Sequence, residues 1–371
     1  MSNPNSPTPA GTIAATEAVY WADPARETLF TQWLSSLAAT HALLPHTLRP
    51  ASADASFRRY LRVDAANGSS FIVMDAPPDK EDCHPFVHVQ KLLKGAGVLA
   101  PDVLAWDASN GFMLLTDFGN QTLIGLLSPE RPADAHRWYL QSVDTLIEWQ
   151  KASRPGVLPE YNDALLRREL HLFPEWYLGR HRQWVATDAQ QALLQRTFDA
   201  IIANNLDAPS VFVHRDFMTR NLMVTPDNAL AVLDFQDAVY GPVTYDIASL
   251  LRDAFISWEE DFVIDITVRY WEKARRAGIV GAGSASGWGA DFGEFYRAVD
   301  WMALQRHLKV AGIFARLTLR DGKPKYLADT PRFIQYIRQT ASRYRELTPL
   351  LRLVDEVEGT QPAYGFAYGR M

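Results

Sequence analysis

Cysteine is nearly absent: Cys83 is the only one among 371 residues, which excludes an intrachain disulfide framework and fits a reducing compartment. The sequence also lacks any run of about 18 apolar residues, so no membrane-spanning helix is expected. Its first ten residues hold no basic stretch followed by an apolar one. A cytoplasmic location is therefore expected; a periplasmic one would require a signal removed ahead of this numbering. Basic charge is in deficit, with 37 Lys and Arg against 43 Asp and Glu and a net charge of −6. That balance gives no electrostatic footprint for nucleic acid. Also missing are Gly-x-x-x-x-Gly-Lys-Ser/Thr, His-Glu-x-x-His and Gly-x-Ser-x-Gly, the signatures of a P-loop, a zinc peptidase and a hydrolase nucleophile elbow.

With 47% hydrophobic and 22% charged residues the composition is that of an ordinary globular protein. The length exceeds the size at which one core stops growing, so two lobes are expected. The most informative stretch is Val211-Phe-Val-His-Arg-Asp216-Phe-Met-Thr-Arg-Asn221-Leu-Met-Val, followed by Ala231-Val-Leu-Asp234. Short apolar runs at Val211–Val213, Leu222–Val224 and Leu230–Leu233, with a turn at Thr225-Pro-Asp-Asn228, read as strand, loop and hairpin. That pattern brings Asp216, Asn221 and Asp234 to the same end of one small sheet. Phosphoryl transfer needs such a set: a carboxylate to orient and deprotonate the attacking hydroxyl, and an Asn with a second Asp to hold Mg²⁺ against nucleotide phosphates. Any one of these residues alone is as well explained by a turn carboxylate capping backbone; the order and spacing of the whole set carry the reading.

On these residues, on Leu233-Asp-Phe-Gln-Asp-Ala-Val-Tyr-Gly-Pro-Val-Thr-Tyr-Asp-Ile-Ala-Ser-Leu-Leu-Arg-Asp253 and on Gly312-Ile-Phe-Ala-Arg-Leu-Thr-Leu-Arg-Asp-Gly-Lys323, the sequence resembles the aminoglycoside-phosphotransferase and choline-kinase branch of the protein-kinase-like fold. Within it, the likeness is to bacterial anomeric kinases of amino sugars in cell-wall recycling, with gaps from about residue 52 to residue 332. The resemblance implies an α+β, two-lobed fold, a small β-rich lobe followed by a larger helical one. It implies transfer of the γ-phosphate of ATP, with Mg²⁺, to the C1 hydroxyl of N-acetylmuramate and N-acetylglucosamine, small-molecule partners rather than nucleic acid or membrane. Asp216 would be the base, Asn221 and Asp234 the magnesium ligands, His214 the residue that orients the loop and Asp246 the anchor of the following helix. A kinase of another acceptor, such as an aminoglycoside, choline or a homoserine-like alcohol, would keep the same catalytic residues. A non-catalytic nucleotide-binding regulator is the third reading.

Taken in order, residues 1–20 are Pro-, Ser-, Thr- and Ala-rich and read as a poorly ordered arm. Asp23-Pro24 is an N-cap with Pro at the first helical position, ahead of Leu29, Phe30, Trp33, Leu34 and Leu37 at helical spacing. Short strands follow to Ala76. Ser52-Ala-Asp-Ala-Ser56 occupies the place of a nucleotide-covering loop and contains no glycine; a plain turn explains it nearly as well. The lysine that kinases place on the third strand is absent near Met74. Its work as phosphate anchor would fall to Arg58, Arg59, Arg62 or Lys80. His84 and His88, at i and i+4, read as an exposed helix start rather than a metal pair, since no third ligand is near.

Val103–Trp106, the turn Ser109-Asn-Gly111 and Phe112–Leu115 form a hairpin. Asp117-Phe-Gly119 spells a kinase metal motif but stands ahead of the catalytic loop, where the hinge is expected and backbone from Leu115 to Phe118 would meet adenine. The lobes are accordingly set at residues 21–116 and 117–371. Helices are expected at about 132–152, 163–179, 187–205, 243–256, 259–277, 290–318 and 331–349. Gly278-Ile-Val-Gly-Ala-Gly-Ser-Ala-Ser-Gly287 follows a helix rather than a strand and reads as a loop. Candidate sugar contacts are Trp176 and Glu169, with Arg306, Lys309, Arg316 and Arg320 as cations for a lactyl carboxylate. Glu169, Glu175 and Asp253 would instead serve an acidic pocket for an antibiotic.

Overall fold

The computed structural model describes residues 19–53, 57–281 and 287–360. Most of the expected arm, Asp54 to Ser56 of the glycine-free loop and the centre of the glycine-rich loop lie outside them. The chain divides into two compact units: residues up to 87 with 101–117, and residues 88–100 with those from 118 onward.

In the first unit, helix α1 (Pro24–His41) starts where Asp23 accepts the N–H of Ala25 and Pro24 opens the first turn. It is followed by β1 (Leu43–Ala53), β2 (Arg59–Ala65) and β3 (Ser70–Asp75). Helix α2 (His84–Gly95) crosses the division between the units, and β4 (Val103–Asp107) and β5 (Phe112–Thr116) return to the first. The five strands form one antiparallel sheet in the order β1-β2-β3-β5-β4. Register puts Leu61, Val73 and Leu114 side by side on one face, where they pack with Val63, Phe112 and the α1 residues Phe30 and Leu34. Full burial of each such side chain is worth about 1.5–3 kcal/mol. The alternate face carries Arg62, Ile72, Met74, Met113 and Leu115, because successive strand residues point to opposite sides. Gly111 closes the β4–β5 turn with φ +71°, and a Cβ there would stand 1.9 Å from the Ala76 carbonyl oxygen.

The second unit is mostly helical. After a 3₁₀ turn (Leu123–Leu126) come α3 (Pro132–Lys151) and α4 (Asp163–Leu170). A π-helix (Phe173–His181) replaces the expected continuation of α4 to residue 179. Pro174 explains the break: it has no N–H and its ring clashes with the carbonyl of Leu170. Helix α5 (Asp188–Leu206) begins at a reciprocal Thr187/Gln190 capping box. The strands are β6 (Ser210–Val213), β7 (Leu222–Val224), β8 (Leu230–Val232) and β9 (Val239–Pro242). Instead of one small sheet they form two separate ribbons, β6 with β9 and β7 with β8. Strand β9 escaped the sequence because its Gly-Pro ending reads as a turn; at an edge position that ending is tolerated. Gly241 there also leaves room for Tyr161, whose Cβ would be 2.5 Å from an added Cβ.

Helices α6 (Thr244–Leu251), α7 (Glu260–Arg276), α8 (Phe292–Leu319), α9 (Thr330–Arg343) and α10 (Thr348–Glu358) complete the unit. Helix α6 stops short of residue 256 because the Asp253 carboxylate draws in the N–H groups of Thr219 and Phe255. The single helix expected at 331–349 is two, parted at extended Tyr344, with Pro349 in the first turn of α10. Helix α8 passes so close to the π-helix that a Cβ on Gly312 would lie 2.4 Å from the Leu172 carbonyl. Among the described residues no helix is long and apolar enough to cross a membrane.

Candidate active site

The loop from His214 to Asn221 leaves β6 and enters β7, and Asp234 follows β8, so the Asn221 side chain reaches both the main chain of Asp216 and the carboxylate of Asp234. Asn221 Nδ2 donates to the Asp216 carbonyl oxygen at 2.9 Å and reaches Asp234 Oδ2 at 3.3 Å. The Asn221 carbonyl accepts the N–H of Leu233 at 2.9 Å, which ties the loop to the residue before Asp234. Asp234 itself has φ +62°, a left-handed conformation that Asp tolerates better than most residues, and Gln236 Nε2 donates to its Oδ1 at 2.9 Å. Asp216 and Asn221 are half-buried and Asp234 is exposed.

Behind these groups the loop is fastened to the helices. Asp246, fully buried on α6, accepts the N–H of His214 at 2.7 Å with one oxygen and that of Arg215 at 3.0 Å with the other. Burial pushes its carboxyl up to about 7, against the opposing pull of those two N–H groups and of Arg306. The His214 ring is also buried, which pushes it down to about 4 and keeps it neutral; its Nδ1 accepts the N–H of Asp216 at 3.2 Å. The C-terminal end of the loop is held by Asp253, whose Oδ2 accepts both the N–H and the hydroxyl of Thr219, at 3.1 and 2.5 Å.

Glu169 on α4 is buried among partners: Arg215 Nη2 and Lys309 Nζ stand 2.6 and 2.8 Å from its Oε1, and Gln305 Nε2 and the Tyr161 hydroxyl donate to Oε2. Burial alone would raise this carboxyl, but the two cations outweigh it and hold Glu169 at about 2. Arg306 lies over the Tyr245 ring and donates to the Arg215 carbonyl at 3.0 Å. Trp176 is buried in the π-helix under the Arg180 guanidinium, 3.8 Å from its ring centre. Glu175 pairs with Arg180 at 3.3 Å and Arg320 with Asp321 at 2.6 Å. Arg316, half-buried on α8, has its Nε enclosed without a hydrogen-bond partner among the described residues. No motif or spacing assigns a role to Arg215, Tyr161, Gln305 or Tyr245. Only the place of Arg215 inside the His-x-Asp pattern could have drawn attention to it.

In the first unit the proposed nucleotide residues have partners of their own. Arg59 donates to Asp75 at 2.9 Å and lies over Trp21, and Arg26 shares the same carboxylate. Arg62 pairs with Asp117 at 2.5 Å, and the Ser70 hydroxyl donates to that carboxylate at 2.6 Å. Met74 is fully buried in β3 and Leu115 nearly so in β5; Arg58 is half-buried just ahead of β2, and Ser52 lies near the end of β1. Lys80 sits 3.4 Å from Asp79 at the surface. His84 pairs with Asp82 and His88 with the Val157 carbonyl. Among the described residues no three His, Cys, Asp or Glu side chains gather as a metal site. Asn221 and Asp234 are nevertheless neighbours, joined here through the Asn221 NH2 group, and the oxygens of an amide and a carboxylate are hard donors of the kind that fits magnesium, which takes one or two protein oxygens and completes its shell with phosphate and water.

The model of the phosphotransferase enzyme family matches residues 47–279, well over half of the chain. The chain belongs to that family. As a phosphotransferase it is 49% identical over 312 residues to the N-acetylmuramate/N-acetylglucosamine kinase of Neisseria meningitidis, covering 84% of this chain and 90% of that protein. It is 50% identical over 310 residues to the protein of the same name from Pseudomonas aeruginosa, covering 84% and 88%. Among solved structures it is similar to the choline kinase LicA of Streptococcus pneumoniae, with a TM-score of 0.59 at 11% identity over 85% of this chain and 99% of that one. The aminoglycoside phosphotransferase APH(2'')-Ib gives 0.54 at 15% identity over 82% and 97%. Likeness at those identities concerns the fold alone, and it is the kinase-like α+β fold, an antiparallel sheet unit and a helical unit.

Proposed function

We propose that the protein transfers the γ-phosphate of ATP to the C1 hydroxyl of N-acetylmuramate and N-acetylglucosamine. The observation that carries the acceptor is the identity of about half of all aligned residues to kinases named for those sugars, over most of both chains. In the transfer, the Asp216 carboxylate takes the C1 hydroxyl proton, the sugar oxygen forms its bond to the γ-phosphorus, and the bond to the bridging oxygen breaks to release ADP. An anomeric hydroxyl is more acidic than an ordinary sugar alcohol, so a carboxylate needs no strongly raised pKa to serve it. Asn221 and Asp234 would hold Mg²⁺, which when bound neutralises phosphate charge. His214, neutral and buried, orients the loop without exchanging a proton. An antibiotic-kinase reading would need free large-lobe carboxylates. Glu169 is instead engaged by Lys309 and Arg215, and Asp253 by Thr219 and the N–H of Phe255.

The test is ADP release with a panel of N-acetylmuramate, N-acetylglucosamine, choline and kanamycin, run on the wild type and on Asp216→Asn. Turnover confined to the two amino sugars, and lowered in the variant by the 10²–10⁴-fold typical of lost general-base help, is the expected result. Turnover of choline or kanamycin in place of the sugars would overturn the acceptor assignment.

A further inference from the structure

Arg215, between His214 and Asp216, has φ +75°, in the left-handed region that a long side chain seldom adopts. Three helices hold it there. Its N–H donates to Asp246 of α6 at 3.0 Å, its carbonyl accepts from Arg306 of α8 at 3.0 Å, and its Nη2 donates to Glu169 of α4 at 2.6 Å. Backbone held in both peptide units that flank one α-carbon leaves little freedom to the residue that follows, and that residue is Asp216.

Glu169 has no capacity left for a substrate. An ionised carboxylate offers about four lone-pair sites, and here Arg215 and Lys309 fill those of Oε1 while Tyr161 and Gln305 fill those of Oε2. Arg306 is buried, with its guanidinium over the Tyr245 ring and one N–H on the Arg215 carbonyl. We infer that Glu169 and Arg306 are positioning residues, which fix the direction of Asp216 by clamping Arg215 at its side chain and its carbonyl. Their contribution therefore lies in turnover and not in affinity for the sugar. The inference rests on Asp216 being the base.

The experiment uses the full chain as wild type, Glu169→Gln, Arg306→Gln, and Glu169→Gln combined with Lys309→Met, which removes one buried positive charge with the negative one. A misplaced base costs about 10²-fold in rate, so Glu169→Gln and Arg306→Gln each lower kcat by that order. KM for ATP and for the acceptor stays within about twofold, because binding energy common to ground and transition state is untouched. The charge-compensated double variant regains thermal stability and does not regain kcat. Two results would overturn the inference: a raised acceptor KM with kcat retained, the signature of a substrate contact, or kcat returning together with stability in the double variant, the signature of a purely structural role. The kcat ratios are read on whichever acceptor the wild type turns over, water included, so failure of the sugar assignment leaves this test standing.

Discussion

The carboxylate of Asp246 caps the loop His214–Asn221 from behind: one oxygen accepts the N–H of His214 at 2.7 Å and the other that of Arg215 at 3.0 Å. A side chain on α6 thus replaces the strand partner that β6 loses where its pairing with β9 ends at Val213. Asp246→Asn keeps the shape but offers one acceptor oxygen for two buried donors. An unsatisfied buried N–H costs about 1–3 kcal/mol, so urea denaturation should show a loss of that order together with reduced turnover. A variant as stable and as active as the wild type would show that the cap is dispensable.

Asp234 and Asp117 should respond in opposite ways. Asp234 is exposed and beside Asn221, so Asp234→Asn, which tolerates the same backbone, should leave the melting temperature nearly unchanged. Turnover should fall more than about 10²-fold, the most that loss of an indirect metal partner costs. Asp117 is buried against Arg62 and Ser70. Removing one member of a buried pair costs about 3–5 kcal/mol, so Asp117→Ala should lower the melting temperature while the magnesium dependence of turnover is kept. The reverse pattern would exchange the two roles.

Glu169 sets a pH signature. Its folded-state value of about 2 lies below its ordinary 4.5, so its stabilising contribution is present above pH 4.5 and is lost as pH falls toward 2. The gap in urea midpoint between wild type and Glu169→Gln should therefore be full at neutral pH and shrink through that window. A gap constant down to pH 3 would mean that the carboxylate is not held by Lys309 and Arg215.

Much of this was legible from residues alone where the determinants are local. Asp23-Pro24 marks a helix start through its own side chains, and the Ser109-Asn-Gly111 turn announces its hairpin. The order His214, Asp216, Asn221, Asp234 named the candidate site because phosphoryl transfer constrains those types and spacings. The contacts that fasten the site were not legible. Arg215 and Glu169 are 46 residues apart, and Arg306 is 91 from the carbonyl it reaches; no local pattern records such partners. For the same reason Glu169 looked available for a substrate and strand β9 went unread, whereas the break at Pro174 is local and its signal is the proline itself.

The central claim, phosphoryl transfer to an anomeric hydroxyl, is tested most directly by phosphorus NMR of the product formed from ATP and N-acetylglucosamine. Transfer to C1 predicts one new phosphomonoester resonance split into a doublet by the single anomeric proton. A resonance coupled to the two protons of C6, or ADP and free phosphate with no new ester, would contradict it.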